Sequence, residues 1–199
     1  FRSTYDEQAT STGRKTGPSP DVVHSLLAVQ ADAARLPFAA ESFDLVFCQF
    51  TLMWLDAPAA IGEIHRVLVP DGRLVAIEPD YEGLLEYPAP IATREIWLAA
   101  LARAGADPSL GRKLPGLLAE SGFSARVDLL DHLAEPSPAR FDFLAELPLS
   151  PAERHALAAV RTADSHLASS GGSRVAHLPV FLATAVKTPS NRFTQEVPP

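Results

Sequence analysis

Two short apolar runs each end in side chains able to do chemistry. The first, residues 45–47, is followed by Gln49 and Phe50 and then Trp54; the second, 74–77, by Glu78, Asp80 and Tyr81. Glu78, His65 and His132 are the candidate general bases, since a carboxylate or imidazole near an acceptor can take its proton. Glu78, Asp80, Glu82 and Glu86 form an acidic run that would bind a hard cation only if the oxygens converged; a solvated loop is the simpler expectation. His155 and His166 share one side of a predicted helix but lack a third ligand, so surface placement outweighs a metal site. Arg112 suits an acidic ligand or a structural ion pair. No Gly-x-Ser-x-Gly elbow is present to suggest nucleophilic catalysis.

These residues are positioned by one stretch, 32–81. Its first run, bounded by Phe43 and Cys48, reads as a strand. Ile61, Ile64, Val67 and Leu68 recur at helical spacing. Pro70-Asp71-Gly72 reads as a turn, and 74–77 as a second strand. Neither run alternates, so both faces of each strand are expected to be covered, as in a parallel sheet. Such crossovers are right-handed, and ligands bind beyond the carboxyl ends of their strands. The expected fold class is therefore α/β.

The chain has 199 residues, a formal net charge of −7, 47% hydrophobic and 21% charged residues. That composition supports a folded core and excludes a disordered chain. The negative balance argues against nucleic acid, because no basic face is available to neutralise phosphates. No apolar stretch approaches the roughly 20 residues a membrane span needs, so no membrane partner is expected and a cytoplasmic location is the default. Cys48, the single cysteine, is expected to be a core thiol in a reducing compartment.

Along the chain, residues 1–20 read as a flexible arm and 188–199 as a disordered tail, leaving 21–187 as one domain. A short helix is expected over 21–27 and a short strand over 27–31. Helices are expected over 91–104, 115–121, 141–147 and 151–168, the last capped by Ser150 with Pro151 at its first position. Strands are expected over 126–130 and 179–187.

The 32–81 stretch resembles the later half of a class I S-adenosylmethionine-dependent methyltransferase of the small-molecule, type 11 kind. Carrying the resemblance are Asp32-Ala33 followed by Leu36-Pro37-Phe38; Ser42-Phe43-Asp44-Leu45-Val46; Glu63 with Arg66-Val67-Leu68; and Pro70-Asp71-Gly72-Arg73-Leu74. It continues loosely through Gly111-Arg112-Lys113-Leu114-Pro115 and Ser121-Gly122-Phe123. The resemblance implies a truncated Rossmann-like sheet, mostly parallel with an antiparallel C-terminal edge strand, and a helical cap inserted at about 138–170. It implies S-adenosylmethionine as cofactor. Asp32 would accept from the adenine amino group, the Ala33 N–H would meet a ring nitrogen, and Leu36 or Phe38 would lie against the purine. Gln49 and Phe50 would contact the sulfonium end, and Trp54, Glu78, Tyr81 and Arg112 would meet a small-molecule acceptor. No metal is expected. The departure is that no Gly-rich loop precedes Asp32. That raises a second expectation, a catalytically silent methyltransferase-like module for binding or assembly. It also makes the 43–48 strand an apolar sheet edge, normally covered or paired, so docking by residues 22–31 or a homodimer through that edge is expected.

Overall fold

The computed structural model describes residues 27–130, 133 and 135–188. The expected arm, the helix over 21–27 (apart from Leu27), His132 and the tail beyond 188 lie outside the described residues. The chain divides into two compact units, Phe1–Gln30 and Ala31–Pro199. Of the first, residues 27–30 are exposed and neither helix nor strand, so the strand expected over 27–31 does not form. Every described strand and helix belongs to the second unit.

Strand β1 (Phe43–Gln49) runs through a single 3-10 turn at Leu52–Trp54 into helix α1 (Ala57–Val67). Asp56 caps that helix by accepting from the Ala59 N–H at 3.2 Å, and Ile61, Ile64 and Val67 form its buried face. Strand β2 (Leu68–Pro79) follows without a break. The turn expected at Pro70-Asp71-Gly72 is instead an excursion inside this strand. The pairing steps from Phe43↔Leu68 to Leu45↔Arg73, and Asp71 takes a φ of 61°. Strand β3 (Leu85–Tyr87) leads to α2 (Arg94–Arg103) and α3 (Leu110–Glu120), then β4 (Phe123–Leu130). Helices α4 (Ala139–Ala145) and α5 (Pro151–Ser169) precede β5 (Val175–His177) and β6 (Val180–Lys187). The α5 start is the expected one: Ser150 Oγ accepts from the Glu153 N–H while Glu153 accepts from the Ser150 N–H.

The main sheet has the order β1-β2-β6-β4. β1 and β2 are parallel, and β6 runs antiparallel to both β2 and β4, so three of the four strands point the same way. The C-terminal strand β6 is antiparallel as expected, but it is not the edge: it lies between β2 and β4, and β4 is the edge strand. A separate two-stranded ribbon pairs β3 with β5.

Helices α1 and α3 cover one face of the sheet, where Leu74, Ala76, Ala183 and Ala185 are fully buried. Of β1, Val46 and Cys48 pack against this core, whereas Leu45 and Phe47 point away and stay 56% and 58% exposed. Both faces were expected to be covered; among the described residues, the second face of β1 is not. Among the described residues β1 lies at the sheet edge, as the sequence leads one to expect.

Candidate functional site

The parallel pairing brings the carboxyl ends of β1 and β2 side by side, and the Phe50 N–H extends it by donating to the Ile77 carbonyl at 2.8 Å. Phe50 adopts a φ of 51°, the left-handed region that bulky residues rarely occupy, and this reverses the chain into the 3-10 turn. The turn is held from below by Glu78. Its Oε1 accepts from the Thr51 N–H at 2.9 Å and the Leu52 N–H at 2.7 Å. Glu78 is fully buried, and its Oε2 has no partner. Burial pushes its carboxyl above the usual range, partly offset by the N–H groups of Leu52, Thr51 and Met53.

Helix α3 closes against the end of β2 at Gly111, where an added Cβ would lie 2.8 Å from the Glu78 carbonyl oxygen and 2.9 Å from that of Pro79. Only a residue without a side chain permits this approach. The helix thus begins at Leu110, five residues before Pro115, where its start is expected from the sequence. Two backbone bonds complete the tie, Asp107 N–H to the Met53 carbonyl at 2.7 Å and Tyr81 N–H to the Pro108 carbonyl at 2.8 Å.

Above these strand ends is a cavity of about 280 Å³ lined by Phe50, Met53, Trp54, Tyr81, Trp97, Leu101, Phe143, Glu146 and Leu147. Tyr81 and Trp97 pack with ring centroids 4.6 Å apart at a 33° tilt. Burial raises the Tyr81 phenol to about 12, so it stays protonated at neutral pH. Phe143, Glu146 and Leu147 come from α4 and the link to α5, so the inserted helical segment supplies one wall.

The cavity brings together Phe50, Trp54 and Tyr81 among the residues singled out from the sequence. Trp97 and Phe143 also line it, although the sequence marks Trp97 only as part of a helix and Phe143 only as part of the insertion. Gln49 is exposed at the end of β1, its carbonyl accepting from Thr51 Oγ1 at 2.9 Å. Asp32, Ala33 and Leu36 do not line this cavity. They form a turn in which Asp32 Oδ1 accepts from the Ala34 N–H at 2.9 Å and the Arg35 N–H donates to the Asp32 carbonyl at 2.9 Å. That turn is anchored to α1: Glu63 Oε2 accepts from the Leu36 N–H at 2.9 Å, and Arg66 donates to the Phe38 and Leu36 carbonyls at 2.9 and 3.1 Å.

The acidic run is not a solvated loop. Asp80 is 4% exposed, accepts from the Gly83 N–H at 3.2 Å and pairs with Arg112 at 2.7 Å. Arg112 also reaches Glu82 at 3.4 Å, so its charge is structurally engaged. Glu86 accepts from the N–H groups of Thr93 and Arg94 at 2.7 and 2.9 Å, satisfying the start of α2. Among the described residues no three His, Cys, Asp or Glu side chains group as a metal site would require. His65 packs edge-on to Phe123, and burial lowers its pKa; His155 and His166 are exposed. Cys48 is half-buried, its thiol pushed up to about 12 by burial and by Glu78. No helix among the described residues is long and apolar enough to cross a membrane.

Strand ends, crossover helix and covering insertion define a Rossmann-like α/β protein with its cavity at the carboxyl edge of the sheet. Two solved structures share this fold: a candidate methyltransferase of Bacillus halodurans, with a TM-score of 0.54 at 15% identity over 80% of this chain and 71% of that one, and the YcgJ protein of Bacillus subtilis, with a TM-score of 0.54 at 15% identity over 81% and 70%. Residues 3–76 match the methyltransferase domain family of type 11. By that match residues 3–76 are similar to the methyltransferase domain family, and the fold is that of the two solved structures. Its curated relatives include a malonyl-[acyl-carrier protein] O-methyltransferase of Alcanivorax borkumensis, 47% identical over 56 residues, 28% of this chain and 19% of that protein. They also include the mitochondrial arginine-hydroxylase NDUFAF5 of Danio rerio, 30% identical over 126 residues, 60% of this chain and 38% of that protein. The chain thus spans well under half the length of these relatives.

Proposed function

We propose that this chain takes part in methyl transfer from S-adenosylmethionine to a small-molecule acceptor held in the cavity at the ends of β1 and β2. The observation that carries the reading is the convergence of Phe50 and Trp54, from beyond β1, with Tyr81, from beyond β2, on one hollow. The nucleoside would be held by Asp32, Ala33 and Leu36, and the methionine end by Gln49 and Phe50. Asp32 fits this role: its side chain is exposed, and with Oδ1 committed to the Ala34 N–H, Oδ2 is left to accept from an exocyclic amine. Phe50 fits too, because its ring lines the cavity while 39% exposed.

S-adenosylmethionine, when bound, supplies a methyl group on a sulfonium centre. The protein's part is to align and to dry the site, since effective molarity from orientation contributes about 7–11 kcal/mol in well-placed reactions. Trp54 and Tyr81 set the acceptor's plane, and the helical segment with α4 and α5 acts as the cap that excludes water. Glu78 shapes the Phe50–Trp54 turn, while Arg112 holds Asp80 beneath Tyr81. Self-association through the β1 edge belongs to the same proposal, because Leu45 and Phe47 present an apolar surface there of the kind edge strands normally cover.

The test is thermal denaturation of the full chain with millimolar S-adenosylmethionine or S-adenosylhomocysteine. A ligand at 100 times its Kd adds about 2.7 kcal/mol, so a rise of several degrees that vanishes in Asp32→Ala is expected. An unchanged melting temperature with both ligands overturns the proposal.

A further inference from the structure

From the walls of the same cavity we infer that the acceptor is an organic ammonium ion on an apolar body, a claim that rests on the methyl-transfer reading. The floor is apolar, with Met53 and Leu101 only 3% and 1% exposed. Around it stand five aromatic rings, those of Phe50, Trp54, Tyr81, Trp97 and Phe143. Three of these keep much of their surface open to solvent: Phe50 at 39%, Trp54 at 44% and Phe143 at 64%. Aromatic faces carry negative potential, and a cation set among several of them is bound more tightly than its neutral isostere.

Charge points the same way. The lining holds no Lys, Arg or His, and its one carboxylate is Glu146. Three arginines of α2, α4 and α5 are already engaged: Arg103 with Glu153, Arg140 with Asp164 and Arg161 with Asp142. Glu146, by contrast, makes no side-chain hydrogen bond or ion pair among the described residues. An anionic acceptor would be repelled by this exposed carboxylate, and a neutral one would gain nothing from it. An ammonium ion satisfies both the rings and the acid. At about 280 Å³ the hollow is just smaller than most small-molecule sites, which begin near 300 Å³, so the body is of one-ring size.

The positive charge is the handle and not the nucleophile. A protonated or quaternary nitrogen has no lone pair, so the accepting atom is elsewhere on the molecule. That atom supplies the electron pair of the new bond to carbon, the pair of the broken bond stays on sulfur, and the acceptor's proton leaves to water.

Trp54 and Trp97 are the two tryptophans of the chain, and both line the cavity, so intrinsic fluorescence reports on this site. The full chain is titrated with benzyltrimethylammonium, with neutral neopentylbenzene and with the anion 3-phenylpropionate. Saturable quenching is expected, with the cation at least about tenfold tighter than the neutral probe, or about 1.4 kcal/mol. Glu146→Gln, a surface change, is expected to weaken the cation several-fold and leave the neutral probe unmoved. Equal affinity for cation and neutral probe, a preference for the anion, or no saturable quenching by any of them overturns the inference. So does competition between the ammonium probe and S-adenosylhomocysteine, which would assign the rings to the methionine end of the cofactor. A thermal shift with S-adenosylhomocysteine but no cation preference removes this inference alone. Cation preference without that shift keeps the cation site and overturns the methyl-transfer reading instead.

Discussion

Glu78 Oε1 accepts from the Leu52 N–H at 2.7 Å, while Oε2 of the same carboxylate is buried without a partner. A neutral carboxyl suits such a place better than a carboxylate, because desolvation penalises the charged form. The folded pKa is accordingly raised above its ordinary value of 4.5. A group raised on folding contributes its stability at low pH and loses it as pH climbs through the folded pKa. Wild-type stability is therefore expected to fall, relative to Glu78→Gln, as pH rises from about 4.5. Urea denaturation at half-unit steps from pH 4 to 8 checks this, and parallel curves for the two proteins would refute it.

The clamp between Glu63 and Arg66 has the opposite sign. Arg66 Nε and Nη2 donate to Glu63 at 2.8 and 2.9 Å, and with the Leu36 N–H they hold its carboxyl down at about 2. A carboxylate lowered on folding contributes stability above its ordinary pKa and loses it as pH falls toward the folded one. Glu63→Gln is expected to be less stable than wild type at pH 7. The gap should close between pH 4.5 and pH 2. Because this clamp also anchors the turn after Asp32, the variant should weaken S-adenosylhomocysteine at pH 7. A gap that is constant with pH in the melting curves would count against the ion pair.

How far these features are readable in the sequence depends on whether a residue's partner is local. Ile61, Ile64 and Val67 announce α1 through spacing alone, and Ser150 with Glu153 announces the α5 start. Sheet order is less accessible. β6 enters between β2 and β4, with Ala183 and Ala185 buried on the face that α3 covers, an order that periodicity does not encode. The exposed faces of Leu45 and Phe47 escape a reading of the sequence, since an unbroken apolar run looks the same at an edge as at a centre. The acidic run misleads for a related reason. Glu78 and Asp80 are engaged by N–H groups or a guanidinium 26 to 32 residues away, and Glu86 by N–H groups seven and eight residues on. At the site, the β1 and β2 ends are readable from the crossover, whereas Trp97 and Phe143 reach the cavity only through tertiary packing.

Arg112 separates a structural role from a binding one. Asp80, with its side chain 5% exposed, receives the guanidinium, which is itself 44% exposed. Leaving a buried acceptor unsatisfied costs about 1–3 kcal/mol. Arg112→Ala should lower stability by that order while altering probe affinity in the cavity less than twofold. Chemical denaturation beside fluorescence titration measures both, and intact stability with lost binding would return Arg112 to the ligand.

The β1 edge yields a hydrodynamic prediction. If Leu45 and Phe47 mediate self-association, the wild-type chain sediments as a dimer at tens of micromolar and Phe47→Lys as a monomer. Charged residues, Lys above all, are the usual means of blunting an open strand edge. A wild-type chain that sediments as a monomer throughout that range discards the interface.

Phe143 tests whether the inserted helices act at the site or merely sit beside it. Its neighbours on α4, Phe141 and Leu144, are 2% and 0% exposed, whereas Phe143 is 64% exposed. One turn of helix therefore divides its residues between core and cavity. Truncating an exposed ring changes stability by no more than about 0.5 kcal/mol, so Phe143→Ala should fold as wild type does. If the ring is a wall for the acceptor, the same variant should raise the Kd of benzyltrimethylammonium several-fold. Leu144→Ala, by the reverse logic, should cost about 2–5 kcal/mol through the cavity it opens, with ligand affinity per folded molecule little altered. Paired melts and titrations of the two variants decide the matter, because a ring that only shields the core would move the melt and leave the titration where it was.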